Sequence, residues 1–466
     1  MYAQVAVENV NCTFDKDYDY SIPQQLEGKA LVGCRVAVPF GIGNRKRIGI
    51  ITRLTDSTQG KRIKSISAVL DEAPLLSNEM MSLARWISEQ TFCTYYEAVK
   101  AMLPAGINHK IIRSFCAVPG VDESVIASLD SDEKQVYDYL LSRSGYVKPE
   151  NFLKTLGFDV SSDIPERLLK AGLLAANDDA VRNIGDNNIR MVRLCEGADD
   201  IQMTKKQSEV VNVLKDVGSV SVKELCYFTG YTPSVISALE KKSVVECFER
   251  EELRSFVSRY AVRSAYDSGE IHLTDEQQKA YGGLLEDYKS GTGKTALLYG
   301  VTGSGKTSVY LKLIDAVLAD NKTVIVMVPE ISLTPQTLSV FHSRYNDGVA
   351  VFHSALSAGE RADEWKRVKN GDAKIVIGTR SAVFAPLENI GLIIIDEEQE
   401  HTYKSEQTPR YNAKSVARYR AAWHKGLTLL ASATPSVESF AAAKSGKYSL
   451  YELKNRYGKA VLPQVI

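Results

Sequence analysis

Gly300, Gly305, Lys306 and Thr307 fall at the spacing GxxxxGK[ST] in the run Gly-Val-Thr-Gly-Ser-Gly-Lys-Thr-Ser-Val-Tyr that ends at Tyr310, and those residue types at that spacing bind phosphates. A triphosphate carries more negative charge than side chains alone easily desolvate. Such a loop therefore presents backbone N–H groups and the positive end of the next helix dipole, at glycines that let the backbone come close. The expected ATP contacts are Gly300, Thr302, Gly303, Ser304, Gly305, Lys306 and Thr307. Lys306 reaches the outer phosphates and the Thr307 hydroxyl ligates Mg²⁺. The similar stretch Ser290–Thr295 has Tyr288 where the first glycine would stand, and it reads as a plain loop.

A metal-holding acid is expected downstream, and Gly391-Leu-Ile-Ile-Ile-Asp-Glu-Glu-Gln399 supplies one at the end of a continuous apolar run. Such a run is a buried parallel strand with its acids at the carboxyl end. Asp396 can hold the magnesium, and Glu397 can orient and deprotonate an attacking water. A strand followed by a solvated acidic turn is the plain alternative, and the phosphate loop upstream argues against it. Gln277, one helix before that loop, can pair both edges of an adenine and selects ATP over GTP.

These residues need a scaffold that brings strand ends together. Apolar runs at Leu297–Tyr299, Thr323–Val328, Ala350–Phe352, Lys374–Ile377, Leu392–Ile395 and Leu427–Leu430 alternate with helical segments. That alternation predicts a doubly wound parallel α/β sheet over residues 266–453, with ligands at the carboxyl ends of its strands. Val328–Thr334, Phe352–Ser354, and Gly378, Thr379, Arg380 with the two residues after them also follow strands. They offer hydroxyls and N–H groups either as helix caps and turns or as contacts to a nucleic-acid backbone. Ser432 and Thr434 end the last of these strands, where hydroxyls can bridge the ATP site to such a track.

The chain of 466 residues is long enough for about three domains, and Lys plus Arg equals Asp plus Glu at 57 each. No global field draws it to nucleic acid or membrane, so any DNA contact must come from local patches. Seven cysteines without a CxxC pair read as reduced thiols rather than a zinc site or disulfide framework. With no signal-like start and no long apolar run, a cytoplasmic protein is expected.

Residues 1–108 carry short strand-like segments at Tyr2–Val7, Tyr18–Ile22, Arg35–Pro39 and Ile48–Leu54 and then a helical stretch from Ser77 to Ala101. They predict a small β-barrel-like or sandwich domain. The basic tips Asn44–Arg47 and Lys61–Lys64 read either as solvated turns or as phosphate contacts. Residues 109–265 repeat one arrangement of three helices and a β-like stretch, the outline of a winged helix present twice. Its third helix either enters a DNA groove or, as the lack of a strongly basic third helix favours, serves packing and docking.

In the order of these motifs the sequence resembles superfamily 2 helicases, and within them the bacterial replication-restart helicases, the primosomal protein N′ family. The marks are Val328–Gln336, Gly378–Pro386, and the acid motif continued as His401–Glu406 and Pro409–Tyr411. The last piece resembles that family's aromatic-rich loop, and the resemblance implies that Tyr403, Lys404, Arg410 and Tyr411 couple DNA to hydrolysis, their rings stacking on bases. It likewise implies that residues 266–453 are a RecA-like first motor lobe and residues 1–108 a 3′-DNA-binding domain, with Tyr18, Asp19, Tyr20 and Lys64 in a pocket for the terminal nucleotide. Asp19 would accept from a free 3′ hydroxyl. Tyr18 stands where relatives often carry Phe, and Gln399 where they commonly carry His. Gln399 can still join the acid motif to Ser432 or Thr434.

The resemblance implies an ATP- and Mg²⁺-dependent 3′ to 5′ DNA helicase that recognises stalled forks and starts primosome assembly. Its partners would be forked and single-stranded DNA, other primosome proteins and the single-stranded-DNA-binding protein, with no membrane role and a monomeric state. Residues 454–466 would begin a linker to a zinc domain and second motor lobe beyond this chain, which alone would bind DNA and nucleotide without unwinding. The alternatives are a non-motor DNA-binding or docking module with a nucleotide-switched loop, and a P-loop kinase, for which the aromatic loop has no use.

Overall fold

The computed structural model describes residues 1–41, 43–58, 60, 62–182, 188–195, 203–251 and 271–456. Its centre is a seven-stranded sheet in the order Val349–Phe352, Ile375–Gly378, Thr323–Met327, Ile390–Asp396, Leu427–Ser432, Thr295–Gly300, Ser449–Leu453. Every neighbouring pair is parallel, so all the strands end on one edge. The central runs are buried on both faces, which is why they read as continuous Ile, Leu and Val. Six of the strands are those expected from the sequence. The seventh, Ser449–Leu453, was missed because an edge strand carrying Tyr451 and Glu452 has no long apolar run.

Two apolar cores lie on the two faces. One joins the helices Asp275–Lys289, Lys306–Ala319 and Pro335–Tyr345 to the sheet. The other takes in the helices Ala358–Lys369 and Ala413–His424 together with Asn78–Thr91 and Tyr95–Met102. The helices of the amino-terminal region thus share a core with the large sheet. They replace the single helix expected from Ser77 to Ala101. Phe92 is left-handed at φ 53°, and Thr94 and Glu97 form a capping box that starts a second helix.

This seam is held by charge as well. Arg420, fully buried, donates to Glu79 through Nε (2.6 Å) and Nη2 (3.0 Å) and to the carbonyls of Val383, Ala385 and Leu387. All of its donors are satisfied without solvent, as a buried guanidinium requires. A Cβ on Gly106 would stand 2.0 Å from the Ala358 carbonyl oxygen, so the backbones meet there at a distance only glycine allows.

The amino-terminal strands form a six-stranded sheet in the order Lys64–Ser65, Tyr18–Ser21, Tyr2–Val7, Arg45–Thr55, Arg35–Phe40, Ala68–Val69. Only two residues separate its two edge strands in sequence, so one short stretch of chain pairs first with one edge and then with the other.

Between these regions stand two units, each of three helices and a strand that pairs antiparallel. The first comprises Ser131–Leu141, Pro149–Thr155, Ile164–Lys170 and Leu174–Arg182, the strand pairing with His109–Ala117. The second comprises Lys205–Val217, Val222–Thr229, Pro233–Lys241 and Val245–Glu251, the strand pairing with Asn188–Leu194. Each has its own apolar core. The sequence reading had the helical pattern begin at about residue 109, where a nine-residue strand is found.

The basic tip at Asn44–Arg47 is exposed at Asn44 and Arg45, but two of its cations are engaged within the protein. Arg45 pairs with Glu166 at 2.7 Å, and Lys46 donates to the Asp178 carbonyl at 2.8 Å. Asp178 in turn pairs with Arg113 at 2.6 Å. The tip therefore docks on the first helical unit. In the second basic stretch Lys61 lies outside the described residues, as do most of 454–466. Among the described residues no helix is long and apolar enough to cross a membrane.

Candidate functional site at the strand ends

The Thr295–Gly300 strand runs into a loop in which Gly303 and Gly305 hold φ of 78° and 79°, and the helix Lys306–Ala319 starts at once. Left-handed backbone at both positions is what glycine supplies, and it folds the loop back toward the helix start. A Cβ on Gly300 would lie 2.6 Å from Ser304 Oγ, so the loop is closed on itself as tightly as glycine permits. Lys306, almost buried, donates from Nζ to the Gly300 carbonyl at 2.8 Å. Burial lowers its pKa, and the charges of Glu397 and Asp396 push the other way. The lysine and both acids thus act on one another across a single edge.

Asp396 ends the Ile390–Asp396 strand. Burial, and after it the charge of Glu397, raises its carboxyl above the ordinary range. Such a carboxyl gains from a nearby cation. Ser304 Oγ is buried and has no hydrogen-bond partner. The loop and the acid together fit a phosphate-bound divalent metal, for which Thr307 and Asp396 are the available oxygen ligands.

A residue that sequence reasoning passed over joins those two ligands. Tyr310, one turn into the helix and buried, hydrogen-bonds the Thr307 side chain and lies 3.3 Å from Asp396 Oδ2 through its hydroxyl. Burial keeps that hydroxyl protonated. Tyr310→Phe keeps the ring in its core and removes only the link. We expect it to raise the Mg²⁺ concentration for half-maximal binding of a fluorescent ATP analogue several-fold, on the order of 1 kcal/mol. A titration at stepped Mg²⁺ that superimposes on the parent would contradict the linking role.

The remaining acids have separate tasks. Glu397 sits at φ 44° and its Oε2 accepts from Gln399 Nε2 at 3.0 Å. Gln399 Oε1 accepts from Ser432 Oγ at 2.6 Å, and Ser432 Oγ accepts from the Thr434 amide at 2.9 Å. The four residues form one chain from the acid motif to the neighbouring strand end. Glu398, fully buried, was not singled out in the sequence. It receives Lys414 Nζ at 2.8 Å, the Ser436 amide at 2.6 Å and the hydroxyls of Ser436 and Ser439. Burial alone would raise its carboxyl, but these donors, Lys414 first, hold it low. It fixes the acid motif to the turn after Thr434.

Gln277 is buried with both ends of its amide engaged. Its Oε1 accepts from the Thr274 amide at 3.0 Å and its Nε2 donates to the Ser304 carbonyl at 2.9 Å. As it stands it braces the phosphate loop, and pairing with adenine would cost both bonds.

On the same edge, Thr379 donates its amide to the Phe352 carbonyl at 3.1 Å, and Gly378 is where a Cβ would meet that carbonyl oxygen at 2.2 Å. Arg380 donates to the carbonyls of Thr402 (3.2 Å) and Lys404 (2.7 Å) and lies 5.9 Å from the Tyr411 ring centre. Lys404 and Arg410 are exposed, with Lys404 Nζ on the Arg410 carbonyl at 2.6 Å. The expectation that Tyr403 and Tyr411 stack on bases needs correcting. Both are buried, Tyr403 at 1% and Tyr411 at 8% exposure. Tyr411 packs edge-on against Phe384, and Tyr403 hydrogen-bonds the Asp396 carbonyl at 2.6 Å. An aromatic-rich loop can turn its rings inward as readily as outward, and only the charged members face solvent here. Its link to the acid motif runs through the Tyr403 hydroxyl.

The four residues of the amino-terminal sheet converge on one cavity of about 440 Å³, lined by Tyr18, Asp19, Tyr20 and Lys64 with Phe40 and Lys16 among others. The Tyr18 ring meets Phe40 edge-on at 5.0 Å. Asp19 accepts from Thr58 Oγ1 at 2.6 Å and Gln4 Nε2 at 3.3 Å, which leaves lone pairs on both oxygens. Lys64 Nζ donates to the Gly41 carbonyl at 2.6 Å and keeps two further protons. The Tyr20 hydroxyl is tied to the Pro39 carbonyl at 3.2 Å.

Residues 4–104 match the family described as the PriA 3′DNA-binding domain (3′BD), and residues 274–442 the DEAD/DEAH box helicase family. The chain is similar to the replication restart protein PriA of Bacillus subtilis, 36% identical over 100% of this chain and 57% of that protein. It is similar also to that of Chlamydia pneumoniae, 29% identical over 99% of this chain and 52% of that protein. Among solved structures, a hypothetical ATP-dependent RNA helicase from Sulfolobus tokodaii aligns over 43% of this chain and 56% of its own, with TM-score 0.30 and 20% identity. The chain spans about half the length of the curated relatives it matches.

Proposed function

The chain belongs to the PriA replication-restart family, carrying a 3′ DNA-binding domain and a DEAD/DEAH helicase domain, and from this premise we propose that it binds ATP and forked DNA as part of an ATP-dependent 3′ to 5′ helicase. The observation that carries the reading is the meeting of Lys306, Thr307, Tyr310, Asp396 and Glu397 at one strand-end edge.

Lys306 exchanges the Gly300 carbonyl for the outer phosphates, and the loop amides with Ser304 Oγ take the others. Thr307 and Asp396 would hold a magnesium ion, which would supply charge to offset what develops on the phosphates in transfer. Glu397, oriented by Gln399, positions the attacking water and takes its proton. Loss of the terminal phosphate frees Glu397 to move, and the chain through Gln399 and Ser432 carries that movement to Thr434. Arg380 and the Tyr403 hydroxyl form a second route, from the loop that faces DNA to the Asp396 strand end. Lys404 and Arg410 meet DNA phosphate rather than bases.

We read the amino-terminal sheet, closed through residues 64–69, as a small barrel whose 440 Å³ cavity takes a terminal nucleotide. Asp19 selects a 3′ hydroxyl, since a 3′ phosphate would place like charge against it. The two helical units are winged-helix modules, and the docked tip at Arg45 and Lys46 supports a packing role for the first. The test is a pair of forks with a nascent 3′ hydroxyl or 3′ phosphate. The parent should prefer the hydroxyl by about tenfold, one lost charge-assisted bond, and Asp19→Ala should bind the two alike. Equal affinity in the parent would remove the pocket from the account.

A further inference from the structure

A cleft of about 270 Å³ on the seam between the amino-terminal helices and the large sheet has no role in the function above. Its walls are Met102 and Leu103 at the end of one helix, Trp365 on the Ala358–Lys369 helix, and Phe352 and Phe384 beside strand ends. Its polar groups are Arg361, His353 and Ser381, and no carboxylate lines it. Arg361 is one turn before Trp365, so the two share a face. Its Nε is buried without a hydrogen-bond partner, and among the described residues no acid pairs with its guanidinium.

Buried charge is costly unless paired, and the guanidinium fork matches a phosphate. His353 Nδ1 accepts from the Ala355 amide at 3.1 Å, which leaves the proton of the neutral ring on Nε2, a donor. The cleft therefore combines an apolar, aromatic lining with the donors of Arg361 and His353 and the Ser381 hydroxyl, and no anionic group. In the sheet order, five strand spacings separate the Val349–Phe352 strand from the phosphate-loop strand, about 24 Å, so this is not the triphosphate site.

We propose that the cleft binds a nucleotide, with its phosphate on Arg361, His353 and Ser381 and its base against Trp365, Phe352 and Phe384. The source is either a free mononucleotide or one unstacked nucleotide of a bound strand. The second rests on the reading of the strand-end edge as a DNA track. Base–aromatic contact is tolerant of sequence, as a motor needs.

The probes are thymidine monophosphate and a thymidine 12-mer ending in a 3′ phosphate, which keeps it from the Asp19 cavity. Both are titrated into the full chain with the triphosphate site saturated by an ATP analogue and Mg²⁺. Arg361→Gln should weaken the bound probe about tenfold, as loss of a charged hydrogen-bonding partner does. For the 12-mer it should also lower the slope of log K against log salt by about 0.7. Ala105→Trp, an exposed position at the rim, fills the apolar end without entering the core. It should weaken binding with the slope unchanged, and it keeps the test open should Arg361→Gln not fold. Monophosphate binding that depends on Arg361, beside a parent that ignores the 12-mer, would uphold the cleft and sink the DNA-track reading. Parent and both variants binding the two probes alike, or a parent that binds neither, would overturn the proposal.

Discussion

Lys306→Ala should cost about 100-fold in affinity for an ATP analogue, whereas Glu397→Gln should bind it normally and hydrolyse ATP about 10² to 10⁴ times more slowly. The split follows from where the two side chains stand. Lys306 touches only the Gly300 carbonyl now, is almost buried, and has a pKa lowered by that burial against the pull of Glu397 and Asp396. Phosphates would give it the anionic partner that the loop is shaped to deliver. Removing it leaves the outer phosphates without that cation, so binding falls. Glu397 Oε2 already accepts from Gln399, and an amide in its place preserves that contact's reach while losing the base. Binding by fluorescence and phosphate release in the presence of forked DNA separate the two effects. Lys306→Ala with parental affinity, or Glu397→Gln with parental turnover, would place the chemistry elsewhere.

Glu79→Ala should destabilise the fold by about 3 to 5 kcal/mol, because it leaves the fully buried Arg420 without its counter-charge. The pair also sets a pH window. Burial alone would raise the Glu79 carboxyl, but the charge of Arg420, the His424 ring 3.1 Å away and the Arg420 hydrogen bonds outweigh it and bring it from 4.5 down to about 2. A carboxyl depressed in the folded state stabilises fully above its unfolded value. That contribution, about 3 kcal/mol at 1.4 kcal/mol per unit, is lost as the pH falls from about 4.5 toward 2. Denaturant midpoints of the parent should drop across that window, and those of Glu79→Gln should drop by less, since Glu398 and the other depressed carboxyls still titrate there. A loss below about 1 kcal/mol in Glu79→Ala would show that the seam is held by its apolar contacts alone.

The phosphate loop and the acid strand were legible because their signals are local: fixed spacing of glycines, and a run of Ile ending in Asp396. The places of six strands along the chain followed from the same alternation, but not their order in the sheet. What joins those pieces was less accessible. The family resemblance offered Gln399 a link to Ser432 or Thr434, yet Tyr310 was read only as a helix residue, since nothing in its neighbourhood says that it reaches a residue 86 positions away. Glu398 reads as one of three exposed acids until the turn at Ser436 closes over it. Arg420 and Glu79 are 341 positions apart, and no periodicity announces a buried charge. Two misses had usable signals. Thr94 and Glu97 spell a helix start inside the stretch taken as one helix, and Leu450 with Leu453 marks a short edge strand. The inward turn of Tyr403 and Tyr411 had none, because composition fixes what a loop contains and not which way it faces.

The central claim, that Lys306 and Asp396 act on one magnesium-bound triphosphate, is tested most directly by a double-mutant cycle. Affinity for an ATP analogue in saturating Mg²⁺ is measured in the parent, Lys306→Ala, Asp396→Asn and the pair. Side chains that share one ligand should be non-additive, with a coupling of about 1 to 3 kcal/mol. Losses that add to within about 0.3 kcal/mol would mean that the lysine and the aspartate serve separate sites, and the case for a motor lobe built on this edge would fail.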